Sequence, residues 1–159
     1  MKAASLAEVK KELNQLEPAQ LTELCITLAK YKKDNKELLN YLLFEAHNKT
    51  QFISNVKTEI DQQFAEINAS GNLNNTKKTL RKIVRIITKY CKYLNDKAAA
   101  ADLHIYFCAT LKSSAIPYHK NQMISNLYAQ QLKKINTLIS TLHEDIQLDF
   151  VTDLEKING

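Results

Sequence analysis

Hydrophobic residues recur every three or four positions along most of the chain, which is the spacing of one face of an α-helix. Before residue 48 this pattern predicts three amphipathic helices, over residues 6–16, 18–33 and 35–47. Ser5 with Glu8 forms a capping box, and Pro18 suits the first turn of a helix. We expect the apolar side of each helix to be buried, through Leu6, Val9, Leu13 and Leu16, then Leu21, Leu24, Cys25, Leu28 and Tyr31, then Leu38, Leu39, Leu42 and Leu43.

The same spacing continues after residue 48 and predicts four or five further helices. They begin near Thr50, Asn75, Asn95, Asn121 and Leu148; the helix from Asn121 extends to about His143, and the last is short, over residues 148–157. The segment NASGNLNN, residues 68–75, is typical of a surface loop and lies between two helical halves. Two glycines and two prolines are too few for a sheet with many turns, so the chain is predicted to be all-α.

The short connections predict antiparallel hairpins, arranged either as a bundle or as a short α-solenoid-like stack. A chain of 159 residues fits one helical domain over residues 1–159. Residues 98–111, AAAADLHIYFCATL, carry a single charge at Asp102 and have almost no polar face. A helix that is apolar all round belongs inside a bundle, so this segment is predicted to be a buried central helix.

Positive charge is concentrated in KKTLRKIVRIITKYCKY, residues 77–93, which contains no carboxylate. At 100° per residue the cations fall within about 140° of arc, opposite an apolar face. This basic face consists of Lys77, Lys78, Arg81, Lys82, Arg85, Lys89 and Lys92.

Three interpretations of the basic face remain open. It is a solvated surface, or it is neutralised by the acidic C-terminal residues, or it contacts a polyanion such as a nucleic-acid backbone. The acidic residues that share one helical face are Asp145, Asp149 and Asp153.

Cysteine and histidine offer one candidate metal position. His104 and Cys108 are four residues apart and share a helix face, but the rest of a zinc site would have to come from Cys91 or His119. The more frequent arrangement is a buried histidine with one hydrogen-bond partner beside an inert thiol. No nucleophile motif or glycine-rich phosphate loop occurs, so we predict no catalytic residue, no cofactor and no metal.

The segment VKKELNQLEPAQLTELCITLAKYKKDNKELLNYLL, residues 9–43, resembles the opening of a family of small, uncharacterised all-helical bacterial proteins. Later segments, LRKIV at residues 80–84 and DLHIYF at residues 102–107, are similar in rhythm to the same family. The resemblance implies an all-α fold and a bacterial origin, and it implies no activity.

The net charge is +5, from 22 Lys and Arg against 17 Asp and Glu. The start MKAASLAEVKKEL lacks the apolar run of a signal peptide, and no 18-residue apolar stretch exists, so we expect a cytoplasmic protein without a membrane span. The predicted function is a non-catalytic interaction or scaffold module with an unknown protein partner. The alternative is weak, sequence-nonspecific nucleic-acid binding through residues 77–92.

Overall fold

The computed structural model describes residues 2–68 and 71–159, and within these residues it contains helices and no strand. The all-α prediction is therefore confirmed, with nine α-helices in the described residues where seven or eight were predicted. Their contacts group the chain into two compact units, Met1–His47 and Asn48–Gly159. That the whole chain forms one domain stays a prediction.

Unit 1, Met1–His47, contains three α-helices joined by short connections. The predicted capping box closes the first turn of α1, because the backbone N–H of Ser5 donates to Glu8 at 2.7 Å. A single extended residue, Lys32, separates α2 from α3, which makes a tight hairpin. The amide of Asn35 donates to the Leu28 carbonyl at 2.8 Å and ties the two helices together. The bounds are α1 Leu6–Leu13, α2 Pro18–Tyr31 and α3 Lys33–Asn40.

A π-helical turn, Tyr41–Glu45, continues α3. Its hydrogen bond runs from the N–H of Ala46 to the carbonyl of Tyr41, 2.8 Å long and five residues apart. The wider turn alters the helical register, and π turns of this kind are frequent at functional sites. The predicted third helix therefore ends in an irregular turn that presents Leu42, Leu43 and Phe44 in succession.

The apolar side chains of unit 1 are not buried as the sequence pattern predicted. None of residues 2–40 is buried, and Tyr41 is the one buried residue between positions 2 and 47. Helices of 8, 14 and 8 residues present too little surface to enclose one another's apolar sides. The expectation of a buried stripe on each helix is wrong for this unit.

Unit 2, Asn48–Gly159, holds the six remaining α-helices and a short 3₁₀ turn. The loop predicted at residues 68–75 lies inside this unit; positions 69 and 70 are outside the described residues, and a helix already begins at Leu73. The bounds are α4 Lys49–Ala65, α5 Leu73–Leu94, α6 Lys97–Ser113, the 3₁₀ turn Tyr118–Lys120, α7 Gln122–Ile139, α8 Glu144–Asp149 and α9 Val151–Asn158.

Helix α6 is the centre of unit 2, as predicted for residues 98–111. It packs against α4, α5, α7 and α9, and none of its residues from 98 to 111 is exposed. Contacts with helices distant in sequence make unit 2 a bundle, because helices in a solenoid contact mainly their sequence neighbours. Its fully buried side chains include Leu103, His104, Phe107, Cys108 and Leu111.

Polar groups at the edge of this core fix the start of α6 and pair the one charged side chain within its apolar segment. Asn95 adopts a left-handed conformation, φ 46° and ψ 41°, which asparagine tolerates and which ends α5. Asp96 then caps α6 by accepting from the N–H of Ala99 at 3.0 Å. Asp102, the lone charge within residues 98–111, forms an ion pair with Lys57 of α4 at 2.8 Å.

The C-terminal part differs from the sequence prediction in its boundaries. Helix α7 ends at Ile139, about one turn early, and two short helices replace the single one predicted over residues 148–157. The chain end is attached to the bundle by two contacts, because Tyr128 donates to the carbonyl of Ile157 at 2.6 Å and Lys112 donates to that of Lys156 at 2.7 Å. None of the helices in the described residues is long and apolar enough to cross a lipid bilayer.

Candidate functional site

Helix α5 has the two-sided character that its sequence predicts. Leu80, Ile83 and Ile87 are fully buried, and the cations lie on the opposite side. Lys77 and Lys89 are half-buried, and the other five cations are exposed. The sequence therefore identified the basic face correctly as a surface.

A groove runs between α5 and α7, and the sequence alone did not indicate it. It has a volume of about 570 Å³ and is lined on the α5 side by three of the cations. We call it the basic groove; its lining residues are Lys78, Arg81, Val84, Arg85, Leu127 and Gln130. The guanidinium Nη2 of Arg81 lies 3.0 Å from Sδ of Met123, a weak acceptor, so a stronger acceptor could displace this contact.

The basic face is not neutralised by the C-terminal carboxylates in the described structure. Asp153 forms an ion pair with Lys156 within its own segment, and the carboxylate of Asp145 lies 3.5 Å from Nδ1 of the adjacent His143. Within residues 2–68 and 71–159, six of the seven cations have no carboxylate within 4.0 Å, namely Lys77, Lys78, Arg81, Lys82, Arg85 and Lys92. The interpretation that the acidic tail neutralises the face is therefore wrong for these six.

His104 lies in the core, but not with the single hydrogen-bond partner that was expected. Its side chain is fully buried, and neither ring nitrogen has a hydrogen-bond partner among the described residues. The Gln131 amide lies nearby without acceptable hydrogen-bond geometry. Burial, joined by the positive charge of Lys134, lowers the pKa of His104 to about 4, so the ring is neutral at pH 7.

The cysteines occupy three different environments. Cys108 is fully buried, and burial raises the pKa of its thiol to about 12. Cys91 is half-buried, and desolvation raises its pKa to about 11 against the opposing charge of Lys134. Cys25 is exposed, so the expectation that it is buried with the apolar side of α2 is wrong.

The half zinc site of His104 and Cys108 gains no third ligand from folding. In the parts of the chain that the structure describes, no three His, Cys, Asp or Glu side chains are grouped closely enough to hold a metal ion. His119 instead packs its ring against that of Tyr118, at 5.5 Å between centroids.

Several tyrosine hydroxyls donate hydrogen bonds to other protein groups. Tyr90 donates to Glu59 at 2.9 Å and Tyr106 to Asp61 at 2.7 Å, joining α4 to α5 and α6. Burial, with Asp61 as hydrogen-bond partner, raises the pKa of Tyr106 to about 12. These contacts connect helices of unit 2 and are structural.

Unit 1 carries the second candidate surface, which the sequence pattern had assigned to the core. Large side chains remain open to solvent along α2, α3 and the π turn; Leu42, Leu43 and Phe44 are 57%, 62% and 65% exposed. Three consecutive exposed apolar residues are unusual for a protein surface without a partner. The sequence did contain a signal for this surface. Residues 2–47 carry more large apolar side chains than three short helices can bury.

A groove between α2 and α3, which we call the hairpin groove, has a volume of about 580 Å³. A second groove of about 260 Å³ shares Ala29 and Leu39 with it. The lining residues of the hairpin groove are Ile26, Ala29, Lys30, Lys33, Lys36, Leu39, Asn40, Leu43 and Phe44.

Comparison with protein-family models, curated proteins and solved structures finds no match to this chain. The candidate functional surfaces of this protein are therefore the basic groove of unit 2 and the hairpin groove of unit 1.

Proposed function

We propose that this protein is a non-catalytic helical interaction module that docks another protein on the apolar surface of unit 1. The observation that carries the proposal is the absence of a buried side chain over residues 2–40, combined with the exposed Leu42, Leu43 and Phe44. Contiguous exposed apolar surface is typical of protein interfaces, and large aromatic side chains supply much of their binding energy.

The exposed apolar area of unit 1 is comparable in size with one side of a standard interface. Summed over the large exposed apolar residues of unit 1, it is on the order of 1,000 Å², against about 800 Å² per partner in a standard complex. Those residues are Leu6, Val9, Leu24, Ile26, Leu28, Tyr31, Leu38, Leu42, Leu43 and Phe44.

The setting we propose is the bacterial cytoplasm. The family resemblance of residues 9–43 supports the bacterial origin, and the three free cysteines suit a reducing compartment. No catalytic role is proposed for any residue, because His104 and Cys108 are fully buried in unit 2 and Cys91 is half-buried with a raised thiol pKa.

The test places a photo-crosslinking amino acid at Phe44 in the full chain, expressed in a bacterial cell. A matched variant carries it at Leu148, which is 69% exposed in unit 2. We expect discrete crosslinked protein adducts at position 44 in clear excess over position 148. Equal adduct yields at both positions would contradict the proposal.

A second function is favoured by the basic groove, because its three cations line one wall and α7 contributes Leu127 and Gln130 opposite them. A negatively charged phosphate backbone would lie along α5 without reading base sequence. This alternative assigns weak, sequence-nonspecific nucleic-acid binding to unit 2 and leaves unit 1 unexplained.

Binding of random-sequence duplex DNA at two salt concentrations tests this alternative. Reversal of charge at Arg81 and Arg85 should abolish a salt-sensitive signal, whereas reversal at the exposed Lys10 and Lys11 of α1 should leave it unchanged. Binding that survives the Arg81 and Arg85 changes would eliminate the basic groove as the site.

A further inference from the structure

The hairpin groove has the dimensions to bind a single helix between its two walls. Its wall on α2 consists of residues 26, 29 and 30, and its wall on α3 and the π turn consists of residues 33, 36, 39, 40, 43 and 44. Both sets follow helical spacing, so each helix contributes one continuous face. The longer wall spans about 16 Å, which matches three turns of a bound helix.

Charge and apolarity are separated along this groove. Lys30, Lys33 and Lys36 lie toward the α2–α3 turn, whereas Leu43 and Phe44 lie at the other end. All three lysines are exposed, and none of the lining residues is a carboxylate.

The counter-charges nearby do not cancel this arrangement. Lys33 has an ion pair with Glu37 at 3.6 Å, but its side chain is 87% exposed, and such surface pairs are weak. At the apolar end, Glu45 accepts from the amide of Asn40 at 2.9 Å, so that end disfavours a second carboxylate. The groove therefore favours a bound segment that is oriented with its carboxylates toward the α2–α3 turn.

We propose that the hairpin groove binds an amphipathic helix of a partner protein, with apolar residues seated against Leu43 and Phe44 and carboxylates facing Lys30, Lys33 and Lys36. This inference rests on the function proposed above and adds the chemistry of the partner. The mode of recognition is a helix laid in a groove, with apolar anchors spaced three and four residues apart. The lysines select acidic partners and repel basic ones.

The experiment uses a phage-displayed library of 14-residue amphipathic helices, with apolar positions held as leucine and all other positions random, selected on the immobilised full-length chain. We expect the enriched peptides to carry Asp or Glu clustered at one end. Their binding should be lost with Phe44→Ser and retained with the matched variant Leu148→Ser. Circular dichroism of both variants confirms that the helical content is unchanged.

The charge contribution is measured by fluorescence anisotropy with one enriched peptide. The double variant Lys30→Glu, Lys36→Glu should raise its Kd at least tenfold. The control Lys10→Glu, Lys11→Glu makes the same change of net charge on α1, outside the groove, and should alter Kd less than twofold.

The outcomes separate this inference from the proposed function. Enriched peptides that depend on Phe44 but show no excess of carboxylates overturn the acidic partner and leave the interaction module standing. A dimer in light scattering that dissociates with Phe44→Ser makes a second copy of the chain the occupant and overturns the acidic partner in the same way. Equal enrichment on the wild-type chain and the Phe44→Ser variant overturns both proposals.

Discussion

Helices α2 and α6 are equally hydrophobic on average, yet their environments are opposite. Helix α6 buries nine of its residues, and α2 buries none. The difference lies in the number of neighbours, because α6 packs against four helices and α2 mainly against α3. Hydrophobic composition therefore does not decide burial by itself; the surrounding helices do.

The comparison assigns different roles to the two units. In unit 2 the apolar surface is buried between the helices, and this burial stabilises the bundle. In unit 1 comparable apolar surface is left open to solvent. The following measurements test this division, from the largest expected effect to the smallest.

The reactivity of the cysteines should differ most between the two units. Single-thiol variants retaining Cys25 or Cys108 are compared by the rate of reaction with a disulfide reagent at pH 8. We expect Cys108 to react at least about 10³-fold more slowly, because its modification requires the core to open. The raised pKa of the Cys108 thiol, about 12, slows it further. Similar rates would show that α6 is accessible to solvent.

Truncation of one phenylalanine in each unit should lower the free energy of unfolding by very different amounts, because one ring is buried and the other is exposed. Phe107 is fully buried, with its ring centroid 5.7 Å from that of Phe64. Phe107→Ala should lower the free energy of unfolding by about 3–5 kcal/mol, and the exposed Phe44→Ala by no more than about 0.5 kcal/mol. Urea denaturation measures both, and comparable losses would refute the contrast.

Acid should weaken unit 2 through His104. Because the folded-state pKa of about 4 lies below the unfolded value of 6.5, the unfolded chain binds a proton first as pH falls. The stability is complete above pH 6.5 and is lost progressively toward pH 4, by about 3 kcal/mol. Denaturation series across this range measure the loss.

The control for this pH effect is the exposed histidine His47. The His104→Gln variant should lose the part of the pH dependence between 6.5 and 4, whatever its stability at pH 7. The His47→Gln variant should keep it. An unchanged slope in His104→Gln would mean that other groups cause the acid sensitivity.

Ion pairs provide the smallest expected difference. The pair Lys57–Asp102 joins α4 to α6 with both side chains about two-thirds covered, whereas Lys33–Glu37 lies on the surface of α3. Double-mutant cycles should give a coupling of about 0.5–1 kcal/mol for the first pair and near zero for the second. A larger coupling in Lys33–Glu37 would contradict the view that unit 1 contributes little internal packing energy.

Most of the helices could be predicted because their signals are local. The capping box at Ser5, Pro18 at the start of α2 and the i, i+3, i+4 spacing act within a few residues. The central helix was also predictable, since residues 98–111 offer solvent almost nothing polar. The basic face of α5 followed from the same periodicity.

The candidate sites were only half predictable. Periodicity identified Arg81 and Arg85 as neighbours, but the groove that they line needs Leu127 and Gln130 of α7, more than forty residues away. The π turn at Tyr41–Glu45 could not be predicted, because a single added residue per turn leaves no clear mark in the apolar pattern.

The amino-acid sequence by itself determined the all-α character, the helix faces and the charge asymmetry of α5, since each arises from interactions between residues close along the chain. The tertiary structure decided which apolar faces are covered. Helices α2 and α6 have the same average hydrophobicity, yet the apolar side of α2 is exposed and that of α6 is buried, because four helices pack around α6 and mainly one around α2.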